Sequence, residues 1–275
     1  MTAEPASQEL VDLLQAAESA LADGRPVDAE KICRSVVNRE PQHAEAQYLL
    51  AEALRLQGRV EECELTYRAC VLSHPEHSES WAALASMLFE QVRWEEARRA
   101  ANRSLREDPY NPEAAFVRGA LRERRDDYAG AHRDFLRAWR SSPRDWPLPV
   151  PLEDEVLESV VEEAIHLLHP TLRDYLANVA IILEDYPAEE VLLQYDPPAA
   201  ATGLLGYFSG ASLMDRAAAN PWSNLPSAIV IYRRNIERMA TTKEEIIEQL
   251  CITFFHEVGH FLGLSEEDLV KRDLD

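Results

Sequence analysis

Apolar residues recur along the first half of the chain at the three- and four-residue spacing of a helix face, as in Leu49, Leu50, Ala53 and Leu54 and again in Tyr67, Cys70 and Val71. A longer period is superimposed on that short one. Prolines stand at Pro41, Pro75, Pro109 and Pro143, always 34 residues apart, and twelve residues before each stands a small residue, Ala29, Cys63, Ala97 or Ala131. Gly24 and Gly58 keep the same interval and precede the small residue by five, where a helix pair needs a turn; Val92 and Asp126 follow them in register. Small side chains let two helices approach closely, the proline stops the second helix, and stacked neighbours bury a face that one hairpin could not. The pattern predicts four helical hairpins over roughly residues 8–143.

The pattern changes after Pro143. The run RDWPLPVP, with Pro147, Pro149 and Pro151 alternating, excludes a helix and predicts a stiff extended linker with a boundary near Trp146. The predicted domains are residues 1–146 and 147–275. Beyond the linker, Val156, Val160, Val161, Ala164, Ile165 and Leu168 predict an amphipathic helix whose other side, Glu153 to Glu163, is a solvated acidic face. NVAIILED, LLGYFSG and AIVIYRRNI, rich in Val, Ile, Tyr and Phe and bounded by Pro, Gly and Asn, predict sheet strands. Thr242, with Glu245 three residues on, predicts a capping box that opens a long helix. Its apolar residues Ile246, Ile247, Leu250, Phe254, Val258 and Leu262 nearly surround it, so it is expected to pack against the sheet. The fold class predicted is an all-α helical-hairpin solenoid followed by a small α+β domain.

That last helix carries the candidate chemistry. His256 and His260 are four residues apart, so on one helix they project side by side and reach a single metal ion. Glu257, offset by about 100 degrees from its neighbour, can act on a water beside that ion without being a ligand itself. Gly263 permits a left-handed turn that brings Glu266 back as a third ligand; Glu267 and Asp268 are its rivals by position. Three protein ligands and one open position are what a catalytic zinc requires. Glu257 would then take a proton from the water and pass it to the leaving amine of a peptide.

Composition narrows the setting. The net charge of −21 is uneven: residues 1–146 hold 26 acids and 20 bases, residues 147–275 hold 23 acids and 8 bases. Such a field opposes nucleic acid and anionic membrane surfaces as partners and favours cationic or neutral ones. No stretch approaches the roughly 18 uncharged apolar residues of a spanning helix, and the first residues, MTAEPASQEL, lack the pattern of a secretory leader. A cytoplasmic protein is expected. Cys33, Cys63, Cys70 and Cys251 show no C-x-x-C spacing and read as reduced thiols.

The 34-residue hairpin with its small residue and closing proline resembles the tetratricopeptide repeat, although the usual aromatic near the start is present only as Trp81, with Gln47 and Ala115 in its place in repeats two and four. The resemblance implies a groove that holds a peptide segment of a partner protein. Tyr48, Glu52, Glu79 and Ala83 on the first helices do not match the basic clamp that some members use for a C-terminal carboxylate. Residues 150–270, with LLGYFSG, LPSAIVIYRRNI and HEVGHFLGLSEEDL, resemble the small bacterial zincin-like metallopeptidase family. Its pattern implies zinc held by His256, His260 and Glu266, with Glu257 as general base. Phe261 and Glu266 stand where many members have histidine and aspartate. The resemblance also implies an edge strand that pairs with an extended substrate, for which Leu205 to Ser209 is the candidate. Tyr207 or Tyr232 is a candidate oxyanion donor, the alternative for a sheet aromatic being core packing. The function expected is zinc-dependent endopeptidase action on a protein or peptide substrate; the alternatives are an interaction scaffold whose zincin domain binds metal without turnover, and a purely structural zinc.

Overall fold

The computed structural model describes residues 4–217 and 226–272. Leu225, at the head of the LPSAIVIYRRNI segment, and residues 1–3 and 273–275 of the two expected domains lie outside the described residues. The chain divides into two compact units, Met1–Trp146 and Pro147–Asp275.

The first unit is a run of antiparallel helix pairs: α1 (Glu4–Ala22) with α2 (Pro26–Arg39), α3 (Ala44–Leu56) with α4 (Val60–Ser73), α5 (Ser78–Glu90) with α6 (Trp94–Glu107), and α7 (Pro112–Glu123) with α8 (Tyr128–Ser141). Ala29, Cys63, Ala97 and Ala131 are all buried, as close helix approach requires. The turn inside each pair uses a left-handed residue at one fixed place, Gly24 and Gly58 at φ +70° and then Val92 at +64° and Asp126 at +61°. Entry to each following pair is capped by a side chain that accepts from the third backbone N–H: His43, His77 and Asn111 through Nδ1, Nδ1 and Oδ1. The missing aromatic of repeat two has a physical substitute. Trp81 donates its indole N–H to the carbonyl of Pro75 at 3.0 Å, and Gln47, at the equivalent place, donates Nε2 to the carbonyl of Pro41 at 2.6 Å.

The second unit contains α9 (Asp154–Leu167), α10 (Pro170–Leu176), β1 (Val179–Glu184), α11 (Glu189–Leu192), β2 (Gly206–Ser209), α12 (Leu213–Ala217), β3 (Ser227–Tyr232), α13 (Arg233–Met239), α14 (Lys243–Leu262) and α15 (Glu266–Val270). The three strands lie in the order β1-β3-β2, with β1 parallel and β2 antiparallel to β3. Ile229, Ile231, Phe254, Val258 and Phe261 form the core with Leu157, Val161 and Ala164 of α9. Val156, which the sequence pattern assigns to the buried stripe of α9, is exposed; Leu157 takes the buried place. The AIVIYRRNI segment is a strand only as far as Tyr232, because Arg233–Met239 turns into helix. Two buried polar residues of α13 pin what flanks it: Asn235 donates Nδ2 to the carbonyls of Ala201 and Leu204, and Glu237 accepts the N–H of Leu152 at the end of the proline linker.

Candidate metal centre

The capping box at Thr242 and Glu245 starts α14, and the helix runs unbroken through His260 to Leu262. It ends at Gly263, whose φ of +96° is a left-handed C-cap; the Leu264 N–H returns to the Gly259 carbonyl at 3.0 Å. Any side chain at Gly263 would meet Met214 as well as backbone strain. A second capping box, Ser265 with Asp268, then starts α15 and leaves Glu266 as its first residue. Leu269 of α15 is fully buried against Gly259, where a Cβ would lie 2.3 Å from its Cδ2. The glycine between the histidines thus lets α15 fold back onto α14, and the fold-back delivers Glu266.

His256, His260 and Glu266 converge so that one ligand atom from each lies within 4.8 Å of the others. The two Nε2 atoms are 3.1 Å apart, and the Glu266 carboxylate is 3.6 Å from that of His256 and 3.2 Å from that of His260. Ligands held at about 2.0–2.1 Å around a tetrahedral ion stand roughly 3.3 Å apart, so the three side chains fit a zinc ion with little movement. His260 engages the Leu264 carbonyl through Nδ1 at 3.1 Å, which turns Nε2 toward the other ligands. Of the positional rivals, Asp268 is spent on capping Ser265, and Glu267 points to solvent beside Lys271.

Glu257 is 5% exposed and faces the open edge of the sheet. Tyr232 donates its N–H to the Leu205 carbonyl at 2.8 Å, so Leu205 and, by alternation, Tyr207 and Ser209 turn their backbone groups toward β3. Gly206 and Phe208 therefore turn theirs outward. The Phe208 N–H bonds the Glu257 carboxyl, and Gly206 lies so close that a Cβ there would come within 2.8 Å of it. Burial pushes the Glu257 carboxyl up to about 7, against the lowering effects of His256 and of that N–H.

These groups open into a cleft of about 750 Å³ whose walls include Tyr195, Tyr207, Phe208 and Met214. Tyr207 reaches the cleft with its hydroxyl donated to Gln194 at 3.1 Å, whereas Tyr232 is 1% exposed and lies below the surface. Tyr195, which the sequence reading passed over, is half-exposed in the cleft wall. Burial first, then Tyr207, Glu257 and Glu266, hold its phenol above the usual range.

Comparison with known proteins follows the same division. Residues 176–274 match the model of the zincin-like metallopeptidase family, and residues 20–88 that of the tetratricopeptide repeat. Among solved structures, the chain is similar to a thermophilic tetratricopeptide repeat protein from Thermus thermophilus, with 18% identity over 61% of this chain and 87% of that one and a TM-score of 0.44. It is similar also to a tetratricopeptide repeat protein from Parabacteroides merdae, with 16% identity over 97% of each chain and a TM-score of 0.43. MamA gives 17% identity over 50% of this chain and 80% of that one, with a TM-score of 0.42. No curated protein matches the chain.

Proposed function

From a chain that carries tetratricopeptide repeats and a zincin-like metallopeptidase domain, we propose a zinc-dependent endopeptidase in which the repeats bind a protein substrate or regulator. The observation that carries the reading is the convergence of His256, His260 and Glu266 beside a buried carboxyl, Glu257, on one cleft. Zinc, when bound by those three side chains, supplies Lewis acidity that activates water and polarises a carbonyl oxygen.

The chain's own residues supply the rest. The outward backbone groups of Gly206 and the outward carbonyl of Phe208, whose N–H is held by Glu257, offer an extended peptide an antiparallel partner and so set its carbonyl against the histidines. Glu257 takes the proton of the attacking water as the carbon–oxygen bond forms. It returns that proton to the amine nitrogen as the carbon–nitrogen bond breaks, so the carboxylate is regenerated. The Tyr195 phenol, on the cleft wall and within electrostatic reach of Glu257 and Glu266, would donate to the carbonyl oxygen as it gains negative charge. The cleft wall contains no Lys or Arg among the described residues, and the second unit is strongly acidic, which supports neutral or cationic stretches as substrate.

Glu257→Gln tests the assignment. It keeps the shape of the side chain and removes the base, so zinc content should be unchanged while peptide cleavage falls by about 10²–10⁴. Retained zinc with no cleavage even by the wild-type chain would turn the reading toward an interaction scaffold.

A further inference from the structure

Helix pairs that share a 34-residue period repeat their contacts as well, and the first two contacts between neighbouring pairs do so closely. Arg59 donates to Glu30 at 2.6 Å, and 34 residues later Arg93 donates to Glu64 at 2.7 Å. The third contact reverses the signs: the glutamate's place is taken by Arg98 and the arginine's place by Asp127. Inside the fourth pair the departure is larger. Arg118 occupies the place of Leu50 and Leu84, and Arg122 that of Leu54 and Leu88, all four of them buried leucines. Packing calls for apolar side chains at both places, so solenoid architecture does not account for two guanidiniums there.

Nor are they the polar outer face of a terminal repeat. Arg118 and Arg122 line a cavity of about 280 Å³ together with Arg98 and Asn102 of the preceding pair, Arg125, and Asp127. The cavity therefore lies between the third and fourth pairs. Asp134, 2% exposed, keeps the inserted charges folded: it accepts from Arg118 Nε and Nη2 at 2.8 and 2.6 Å and from Arg122 Nη1 at 2.8 Å. Arg98 and Arg125 share the exposed Glu95. The Asn102 carboxamide, half-buried in the cavity wall, makes no hydrogen bond among the described residues. Residues 93–146 hold 13 arginines against 10 acids, whereas residues 1–92 hold 7 bases against 16 acids, so this end of the repeat unit reverses the charge of the chain around it.

We propose that the cavity between the third and fourth helix pairs is an oxyanion site, in which Arg98, Asn102, Arg122 and Arg125 bind a carboxylate or phosphoryl group presented by an acidic polypeptide segment. Guanidinium forks match both groups in two-point fashion, and a carboxamide adds a neutral donor. Arg118, held through Nε and Nη2 by Asp134, anchors the site and fixes its potential. Because α6 supplies one wall, the site is separate from a groove built of first helices alone, and it is independent of the peptidase reading.

The test uses the full chain and fluorescent peptides: one Glu-rich, one with a phosphoserine among the glutamates, and one with the acids replaced by Gln. Arg98→Gln with Arg125→Gln, and separately Asn102→Ala, alter the site while leaving the Arg118–Asp134 pair intact, and a thermal melt of each variant confirms that it is folded. Binding of the acidic peptides that weakens as salt rises and is about tenfold weaker in the double variant is the expected result. Preference for the phosphoserine peptide, with displacement by inorganic phosphate, would identify the group as phosphoryl; equal binding of the Glu-rich peptide would identify it as carboxylate. Failure of both acidic peptides to bind at low salt, or equal binding by the folded double variant, would overturn the proposal.

Discussion

Tyr195 and Glu257 illustrate how differently two residues of one cleft are coded. Glu257 is fixed by spacing, one step along a helix from His256, and its burial follows from the approach of Gly206 on the edge strand. Tyr195 reaches the same cleft from an irregular segment about sixty positions earlier in the chain. No periodicity links the two, so only folding brings them together. Replacing Tyr195 by Phe removes one hydroxyl and little volume. For a donor to the developing oxyanion, kcat should fall by about 10²–10³ with KM and zinc content nearly constant. A wild-type kcat in Tyr195→Phe would leave the phenol as wall alone. The sequence places His256, His260 and Glu266 by the same spacing argument, but it leaves Glu267 and Asp268 open. That choice depends on Ser265 and Asp268 forming a cap and on Leu269 sealing over Gly259, both properties of a short helix with no periodic signal.

Elements divide along the same line. Long periodic helices are legible: the capping box, the length of α14 and its left-handed end at Gly263 all stand in the sequence. Short helices are not. α13 follows β3 without a break and has only Ile236 and Met239 as apolar residues, and α10, α11, α12 and α15 have seven residues or fewer, too few to show a helical period. The repeat turn offers a direct probe of one element's energetics. Gly58 is at φ +70° with open space around it, so Gly58→Ala meets backbone strain and no clash. It should cost about 1 kcal/mol and lower the unfolding midpoint by ~2–4 °C. An unchanged midpoint in a calorimetric scan would contradict the assigned turn. Val92 and Asp126 hold that conformation without being glycine, so the period continues in geometry where the sequence has ceased to mark it.

At the scale of the whole molecule, the two proposed binding sites lie in stretches of opposite net charge. Residues 93–146 of the repeat unit hold 13 arginines against 10 acids, and residues 147–275, which contain the proposed zinc site, hold 23 acids against 8 bases. The acidic balance and its reversal over residues 93–146 are legible in the sequence; the cavity that gathers Arg98, Asn102, Arg122 and Arg125 exists only in the folded helices. The proposed chemistry depends wholly on zinc. The decisive measurement is metal content of the purified chain together with peptide-library cleavage, before and after chelation and with His260→Ala alongside. The prediction is about one zinc per chain, lost in His260→Ala, with cleavage that stops on chelation and returns when zinc is restored. A wild-type chain that takes up no zinc on reconstitution, or cleavage that persists unchanged without it, would contradict it.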